Sequence, residues 1–317
     1  MSGTNHIEVR SLRRVYGTGE AAFEAVRGID LVVAAGTVVA LLGTNGAGKT
    51  SALEVVEGLA RPTAGEVRVL GLDPIADRAE IRRRTGVLLQ TSGFPADLTV
   101  AETLRMWAST MTSARPVTDA LAELDLVGRA DIRVRSLSGG ELRRLDLACT
   151  LLGDPEVVLL DEPTTGLDPE SRRRVWDLVS ALRDRGRSVL LTTHHLEEAE
   201  ELADRVTIMH AGRVREGTPA QLGADQPSTV RFEGTAALAG LGELPGAVRV
   251  ATDHGTTTVE THDLQATLTA LLVHAAERDV RLAGLEARSA SLESVFLAIA
   301  SGTDTAGSVT ALEGASR

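Results

Sequence analysis

The stretch that decides the fold reads Gly43-Thr44-Asn45-Gly46-Ala47-Gly48-Lys49-Thr50. It follows a short apolar run, Val38–Leu42, which predicts a buried strand, and it opens a sequence that predicts a helix to about Leu59. Because glycine has no Cβ, successive backbone N–H groups here can turn inward around an anion, and the helix points its positive end at the same place. A strand, this loop and a helix in that order predict a phosphate-binding loop rather than an ordinary Gly-rich turn.

Two side chains of this loop indicate which ligand it holds. Lys49 is the only lysine among the 33 lysine and arginine residues. Because all the others are arginine, this position requires a compact ammonium, which differs physically from the planar guanidinium of arginine. Lys49 would place a mobile positive charge at the β and γ phosphates of ATP, and the Thr50 hydroxyl would bind Mg²⁺. We therefore expect ATP and Mg²⁺ as ligands.

A second apolar run ends in two acidic residues. Val157–Leu160 predicts a buried parallel strand, and Asp161 and Glu162 follow it at the edge where α/β folds place their sites. Beside a phosphate loop, Asp161 is expected to hold Mg²⁺, directly or through water, and Glu162 to polarise the attacking water. Taken alone, two acids after a strand are an ordinary solvated strand end about as often as a functional site.

Strands and helices alternate along the first part of the chain, which predicts an α/β fold. We predict, in chain order, a small antiparallel sheet leading into the buried strand, a further strand, a helical region and another buried strand: residues 6–42, Glu66–Leu70, residues 91–135 and Ser188–Thr192. This pattern predicts a nucleotide-binding domain over residues 1–222.

The rest of the chain predicts a small α+β domain. A polar break predicts a linker over 223–228, and the domain follows over 229–300. We predict a hairpin, then a helix, then an amphipathic helix that packs on the small sheet: Val248–Val250 with Thr256–Glu260, Leu264–Arg278, and from about Ser291. The stretch 301–317, rich in small and polar residues, is predicted to be disordered.

The net charge of −11 argues against the broad basic face that nucleic-acid binding needs, and against adsorption to an anionic membrane. The first six residues lack the charged and apolar regions of a signal peptide, and no run approaches the ~20 apolar residues of a spanning helix. We therefore expect a cytoplasmic protein with no nucleic-acid partner and no direct membrane insertion.

A third motif, Ser136-Leu137-Ser138-Gly139-Gly140-Glu141, opens another predicted helix. Taken alone, a serine and two glycines there fit either an anion site or an ordinary capped helix start. In combination with the two earlier motifs, the chain resembles the nucleotide-binding domains of ABC transporters over roughly residues 5–222. That resemblance implies a P-loop NTPase core of the ABC type with an antiparallel β subdomain and a helical subdomain.

Leu137–Glu141 matches the family's signature motif. The resemblance also implies that two copies dimerise head to tail, so that Ser138, Gly139 and Gly140 of one copy's signature cover the γ-phosphate held by the other. It implies further site residues: Tyr16 stacking on adenine, Ser51 beside the phosphate loop, Gln90 sensing Mg²⁺ and the transport partner, Glu141 ending the signature, Asp168 in the loop that couples the two sites, and His194 contacting the γ-phosphate.

Two of these assignments have alternatives. A lone tyrosine is more often packing than a base stacker, but Tyr16 lies 27 residues before Gly43, as the family expects. Either His194 or His195 could reach a phosphate, and we choose His194 because it directly follows the predicted strand end.

Two positions depart from the family pattern. Thr44 stands where proline is usual, and Glu141 replaces the commoner glutamine, but neither change removes a catalytic group. Farther along, Ser291–Leu297 resembles the appended domain of drug-resistance-type exporter ATPases. This second resemblance implies dimer stabilisation or regulation by the C-terminal domain, with a passive appendage as the alternative.

The leading hypothesis is an ATPase subunit that powers a separate membrane-spanning permease, docked around Gln90 and residues 91–135. Export of a drug, antibiotic, lipid or polysaccharide is favoured over import. The alternatives are an ABC-type ATPase acting on nucleic acid and a non-hydrolysing ATP-gated module. A single phosphate loop, the acidic balance and a 94-residue spacing from Gly43 to Leu137 argue against the first, and Glu162 argues against the second.

Overall fold

The computed structural model describes residues 4–90, 93–210, 213–224, 226–233 and 240–301. The chain forms two compact units, Met1–Glu216 and Gly217–Arg317. The division therefore falls after Glu216, whereas the sequence predicts it after Leu222.

The predicted linker 223–228 is partly regular structure. Gly223 and Ala224 end a helix, and Ser228 begins a strand. The predicted disordered stretch lies outside the described residues, except for Ser301, which ends the last helix.

The strands of the first unit, in its described residues, are β1 (Asn5–Tyr16), β2 (Phe23–Ala34), β3 (Val38–Gly43), β4 (Ala64–Val69), β5 (Thr85–Leu88), β6 (Val157–Asp161), β7 (Ser188–Thr193), β8 (Arg205–His210) and β9 (Arg213–Gly217). The helices are α1 (Lys49–Val56), α2 (Arg78–Arg84), α3 (Val100–Ser109), α4 (Val117–Glu123), α5 (Gly139–Leu151), α6 (Pro169–Asp184) and α7 (Leu196–Leu202). The strands form an antiparallel sheet in the order β2-β1-β4 and a larger sheet in the order β5-β6-β7-β3-β8-β9.

The larger sheet positions the site. Its middle strands β6, β7 and β3 are parallel neighbours and are buried at every residue, which explains their nearly continuous apolar sequences. The three predictions of buried strands are confirmed, and each strand extends one residue farther at its carboxyl end. Because the strands run the same way, Gly43, Asp161 and Thr193 lie at the same edge of the sheet.

Single left-handed residues account for two boundaries that differ from prediction. Helix α1 ends at Val56 rather than Leu59, because Gly58 has a φ of 69° and a Cβ there would lie 2.1 Å from the Pro74 carbonyl oxygen. Strand β4 ends before Leu70, whose φ of 54° lies outside the extended region. Both elements were predicted correctly in type and position.

The predicted helical region contains α3, α4 and two 3₁₀ turns, Val127–Arg129 and Val134–Ser136, among its described residues. Helix α3 begins with a capping box, in which the Glu102 N–H donates to the Thr99 hydroxyl at 3.2 Å and the Thr99 N–H donates to the Glu102 carboxylate at 2.8 Å. Such a cap stabilises a helix by about 1 kcal/mol. The second 3₁₀ turn leads directly into the start of α5.

The second unit contains, in its described residues, α8 (Pro219–Ala224), β10 (Ser228–Glu233), β11 (Ala247–Asp253), β12 (Thr256–Thr261), α9 (Leu264–Glu277), β13 (Ala283–Arg288) and α10 (Leu292–Ser301). Its antiparallel sheet has the order β11-β12-β10-β13, the strand order of a split βαβ fold. The predicted hairpin is confirmed, and His254 and Gly255 turn it with φ values of 48° and 83°, as a type I′ turn requires.

The two predicted helices of this unit pack in different places. Helix α9 contributes Leu271 and Ala275 to a core with Val230, Phe232 and Val259 of the sheet. Helix α10 makes its main contacts with α8, which corrects the prediction that it packs on the sheet. Leu292, Val295 and Ile299 form its buried face, and Leu222 of α8 is buried as well. None of the helices in the described part of the chain is long and apolar enough to cross a membrane.

Candidate functional site

The loop between β3 and α1 forms a tight turn that only glycine can adopt. Gly46 and Gly48 have φ values of 81° and 96°, and a Cβ on Gly48 would lie 2.1 Å from the Ala25 carbonyl oxygen. A Cβ on Gly43 would lie 2.5 Å from the Met209 carbonyl oxygen. Because α1 begins at Lys49, its free N–H groups and positive end face this turn, which makes the loop a cradle for an anion.

Lys49 is buried in this cradle, with 5% of the residue exposed. Its ammonium donates to the carbonyl oxygens of Gly43 at 2.8 Å and Thr44 at 3.3 Å, and lies 3.6 Å from Glu162 Oε1. Burial lowers the pKa of Lys49, and the carboxylates of Glu162 and Asp161 oppose that shift only in part. The charge of Lys49 is therefore held at the loop by backbone dipoles and one carboxylate.

Asp161 lies at the end of β6, between the loop and β7. Its Oδ2 accepts from the Thr50 hydroxyl at 3.2 Å, and its Oδ1 accepts from the Thr192 hydroxyl. The structure thus brings the carboxylate of Asp161 and the hydroxyl of Thr50, both predicted metal ligands, into direct contact. Hard oxygen ligands of this kind suit Mg²⁺.

Glu162 adopts a left-handed conformation, with φ of 45°, directly after the strand. Its N–H donates to the carbonyl oxygen and the hydroxyl of Thr192, each at 3.1 Å. Its side chain is 10% exposed; Oε1 lies 3.2 Å from His194 Nδ1, and Oε2 accepts from the Thr165 hydroxyl at 3.0 Å. Backbone strain of this type persists where the surroundings determine it, and here it directs the carboxylate toward Lys49 and His194.

The hydrogen bonds of Glu162 keep it ionised. Burial raises its pKa, but the hydrogen bonds with His194 and Thr165, with the charges of His194 and Lys49, outweigh burial and lower the pKa below its usual value. The two imidazoles of the histidine doublet lie with ring centroids 4.1 Å apart. His194 contacts Glu162, whereas burial, followed by the charges of His194 and Arg172, lowers the pKa of His195.

The phosphate loop and Glu162 line a cavity of about 300 Å³, whereas Asp161 and His194 are not among its lining residues. Of the predicted nucleotide-contacting residues, the structure brings eight to its wall: Tyr16, Asn45, Gly46, Gly48, Lys49, Thr50, Ser51 and Gln90. Glu162 also lines it. The cavity therefore joins the phosphate loop to the predicted catalytic carboxylate.

The aromatic end of the cavity holds a residue that the sequence analysis missed. The Tyr16 hydroxyl donates toward Ser51 at 3.1 Å and Glu54 at 3.0 Å, and the Arg14 guanidinium lies 4.6 Å from its ring centroid. Phe23 pairs with Tyr16 across the β1–β2 ladder, lines the same cavity and is 56% exposed. The available signal was a second aromatic residue close to Tyr16 within the antiparallel sheet predicted over residues 6–42.

The signature residues lie elsewhere. Ser138 caps α5 in a capping box with Glu141, and Asp168 caps α6 by accepting from the N–H groups of Glu170 and Ser171 at 3.0 Å. A Cβ on Gly140 would lie 2.5 Å from the Ser171 hydroxyl oxygen, so the two caps are close neighbours. Within the described part of this chain, Ser138, Gly139, Gly140, Glu141 and Asp168 do not line the cavity.

Comparison with known families agrees with this geometry. Residues 26–165 match the ABC transporter family, and residues 228–291 match the C-terminal domain of ABC transporter domain-containing proteins. The chain is 39% identical over 285 residues to the daunorubicin resistance ATP-binding protein DrrA3 of Streptomyces coeruleorubidus, covering 86% of this chain and 90% of that protein. This chain is an ABC transporter ATP-binding protein. As a member of this family, the ABC subunit binds and hydrolyses ATP.

Other relatives and solved structures extend the comparison. The subunit is 41% identical to a Nod factor export ATP-binding protein I of Paraburkholderia xenovorans, covering 69% of this chain and 73% of that protein. An ATP-binding subunit of an ABC transporter matches with a TM-score of 0.61 and 28% identity, covering 69% of this chain and 92% of that one. A dimeric post-hydrolysis cassette bound to ADP and Pi matches with a TM-score of 0.61 and 25% identity, covering 67% and 98%. Cassettes of this family work as dimers with a membrane permease.

Arg143 of the ABC subunit connects its motifs, and motif reasoning did not find it. This side chain of α5 is 8% exposed and donates to four carbonyl oxygens: Pro163 at 2.8 Å, Leu89 at 2.8 Å, Asp161 at 3.0 Å and Glu162 at 2.9 Å. Burial lowers its pKa, and Asp146, 3.5 Å away, opposes that shift. Arg143 therefore connects the signature helix α5 to the end of β6 and to Leu89, the residue before Gln90.

Glu57 is a second group that the motifs did not indicate. It caps the carboxyl end of α1 and is partly buried. Burial, followed by the negative charges of Asp161 and Glu54, raises its pKa to about 7. The helix that follows the phosphate loop thus ends in a carboxyl group that is only partly ionised at neutral pH.

Proposed function

We propose that the subunit hydrolyses ATP as one half of a head-to-tail dimer and that this hydrolysis powers the export of a substrate through a separate permease. The observation that carries the catalytic part is the convergence of Lys49, Glu162 and His194 at the carboxyl edge of three parallel strands. These groups supply a charge for the phosphates, a base for the water and a contact for the γ-phosphate.

In this proposal the phosphate loop, Gly43–Thr50 with Ser51, binds the triphosphate. The left-handed glycines turn the backbone N–H groups toward the phosphate oxygens, and Lys49 adds the one mobile charge of the loop. Tyr16, with Phe23 beside it, offers an aromatic surface for the adenine ring, because a π face stacks on any base.

The oxygen groups beside the loop fit Mg²⁺. Thr50 and Gln90 line the same cavity, and Asp161, which does not line it, lies behind Thr50 with its Oδ2 3.2 Å from Thr50 Oγ1. When bound there, Mg²⁺ would neutralise charge on the phosphate oxygens. The chain's own part is to orient these oxygens: Thr192 holds the second oxygen of Asp161 in place.

Glu162 acts as the base that polarises water. Its lowered pKa keeps it ionised at neutral pH, and a carboxylate accepts a hydrogen bond from water more strongly than a neutral acid does. His194 and Thr165 orient it from two sides. The Lys49 ammonium lies 3.6 Å from the same carboxylate. Phosphates that bind to Lys49 would therefore compete with Glu162 for this contact.

The signature would complete the site of a second copy. In the described part of the chain, a Cβ on Gly139 would meet no atom within 4 Å, so its own chain offers no steric reason for glycine there. The Ser138 hydroxyl accepts the N–H of Glu141 at 3.2 Å and keeps its own proton to donate to an anion. Both observations support a ligand that arrives from outside, namely the ATP of the partner copy, with Asp168 beside it.

The permease would dock on the helical region. Leu89, Met106 and Trp107 are 50%, 37% and 40% exposed and lie in or beside the stretch that begins at Gln90. Exposed apolar side chains of this kind supply the anchors of protein interfaces. Contact there would hold the subunit at the cytoplasmic face of the membrane. The named relatives, a drug-resistance protein and an export protein, support export of a drug, antibiotic, lipid or polysaccharide rather than import.

Glu162→Gln tests the catalytic proposal. The variant should bind ATP but hydrolyse it at least about a hundredfold more slowly, because an amide does not polarise water as a carboxylate does. It should form a stable dimer in ATP, measured by light scattering after size-exclusion chromatography, and stay monomeric in ADP. Glu80→Gln, an exposed glutamate, is the control. A Glu162→Gln chain that remains monomeric in saturating ATP contradicts the dimer.

Co-purification tests the transport part. The tagged subunit, expressed in its own host and extracted in mild detergent, should carry a protein with several membrane-spanning segments, identified by mass spectrometry. Retention on a nucleic-acid column instead, at physiological salt, would contradict the transport proposal and favour the nucleic-acid alternative.

A further inference from the structure

Glu141 carries a negative charge at the point where the proposed site needs a positive one. Its Oε2 accepts the N–H of Ser138 at 2.8 Å, and its own N–H donates to the Ser138 hydroxyl at 3.2 Å. This carboxylate thus takes up part of the positive end of α5. A glutamine could make the same two contacts without the charge, and glutamine is the commoner residue at this position in the family.

The charge of Glu141 has one close neighbour of opposite sign. Arg129 Nε donates to Glu141 Oε1 at 2.6 Å, and the side chains are 52% and 14% exposed. Arg129 ends the 3₁₀ turn Val127–Arg129, so the helical region supplies the counter-charge to the signature. The Ser138 N–H lowers the pKa of Glu141 most, and Arg129 lowers it further, so the carboxylate is ionised at neutral pH.

We infer that Arg129 is a positioning residue for the signature: it neutralises Glu141 and thereby lets α5 accept the terminal phosphates of the ATP that a second copy holds. This inference rests on the proposed head-to-tail dimer. Without Arg129, the carboxylate would repel the incoming triphosphate across a short distance of partly desolvated space, where like charges are weakly screened. With Arg129, the paired side chains of Glu141 and Arg129 carry no net charge, and Glu141 keeps the shape of the common glutamine.

The test is a double-mutant cycle, Arg129→Gln and Glu141→Gln alone and together, in the Glu162→Gln background that traps the ATP dimer. Arg129→Gln should leave the affinity of the monomer for ATP unchanged, because the phosphate loop is intact. It should raise the protein concentration needed to form the ATP dimer about tenfold. Each of the two symmetric signatures contributes a weakening of about threefold, and the two effects multiply. Glu141→Gln alone keeps the capping box and leaves the positive charge of Arg129 unpaired beside the signature, so it should not weaken the ATP dimer.

The decisive result is the double variant. Because the repulsive charge is then gone, adding Glu141→Gln should restore the ATP dimer of Arg129→Gln to within about twofold of the parent. A purely structural role of Arg129 would not be rescued in this way. Arg115→Gln, which breaks an Arg–Glu pair of 2.8 Å in the same unit away from the signature, is the matched control and should not shift dimerisation.

The outcomes separate the inference from the proposal on which it rests. A parent Glu162→Gln chain that forms no ATP dimer contradicts the proposed function, and the inference falls with it. A parent dimer that Arg129→Gln does not weaken, or a weakening that Glu141→Gln does not reverse, overturns the inference alone. Melting temperatures of all four chains show whether a loss of fold has intervened.

Discussion

The two motifs of the proposed site differ in their surroundings. The phosphate loop, Gly43–Thr50, is hydrogen-bonded within its own chain, whereas the signature, Leu137–Glu141, exposes its hydrogen-bond donors to solvent. Lys49 is buried and held by two carbonyl oxygens and Glu162. Ser138 lies at an exposed helix start, where its side chain and N–H form a capping box with Glu141. The first half is complete without a partner, and the second half is preorganised for one.

This difference indicates where each half acts. The desolvation of a buried lysine takes place on folding, before ATP binds. Lys49 can therefore contribute to phosphate binding without a second copy of the chain. An exposed cap contributes only when a partner desolvates it, so its effect belongs to dimer formation. Arg143 connects the halves, since it lies on the signature helix and holds the backbone of Asp161 and Glu162.

The strongest test of the comparison is Lys49→Ala. Removing the only ammonium of the loop should weaken ATP binding by the isolated subunit at least about a hundredfold, because the phosphates lose their mobile counter-charge. Isothermal titration with ATP measures it, and Arg10→Ala, an exposed cation on β1, is the control. Near-normal ATP binding by Lys49→Ala would contradict the assignment of ATP binding to the phosphate loop of the isolated subunit.

Arg143→Gln tests the connection between the halves. Glutamine cannot reach the four carbonyl oxygens, so Glu162 should lose its alignment and kcat should fall at least about tenfold. The ATP affinity of the monomer should change little, because no phosphate-loop contact is removed. Arg144→Gln, next along the helix, removes bonds to Leu124 and Asp125 and is the control. Unchanged kcat, or a parallel loss of affinity, would contradict the connecting role.

Glu57→Gln should have the smallest effect, and on stability. Burial and nearby charges raise the pKa of Glu57 to about 7, so the folded chain binds a proton there that the unfolded chain loses above about pH 4.5. Stability of the parent therefore falls as pH rises through this window. Glutamine does not titrate, so Glu57→Gln removes that loss. The gain in the free energy of unfolding should be about 1 kcal/mol larger at pH 8 than at pH 5, after allowance for the partial exposure of Glu57. Urea denaturation at both pH values measures it, and equal gains at both would contradict it.

The sequence predicted those features correctly that depend on residues close together in the chain. The glycines, Lys49 and Thr50 are close in the chain, and their turn depends on φ values that glycine alone tolerates. The buried strands were predictable because strands covered on both faces are apolar throughout. The convergence of Asp161 and Glu162 on the loop followed from the parallel order of those strands.

Other features were not predictable because they depend on pairs far apart in the chain. Arg143 and Arg144 look alike in sequence, but only Arg143 turns inward to the catalytic backbone. Nothing in the sequence around Arg129 marks it as the counter-charge of Glu141. Likewise, the apolar face of α10 predicted burial but not the element that buries it, which is α8.

The sequence by itself determined the fold, the family and the phosphate loop of this ABC subunit, because these follow from periodicity and from residues adjacent in the chain. Only the tertiary structure decided which arginine holds Glu162, which one neutralises Glu141, and that Glu57 lies near Asp161. The physical reason is the same in each case: hydrogen bonds and pKa shifts depend on distances that are set once strands and helices have packed.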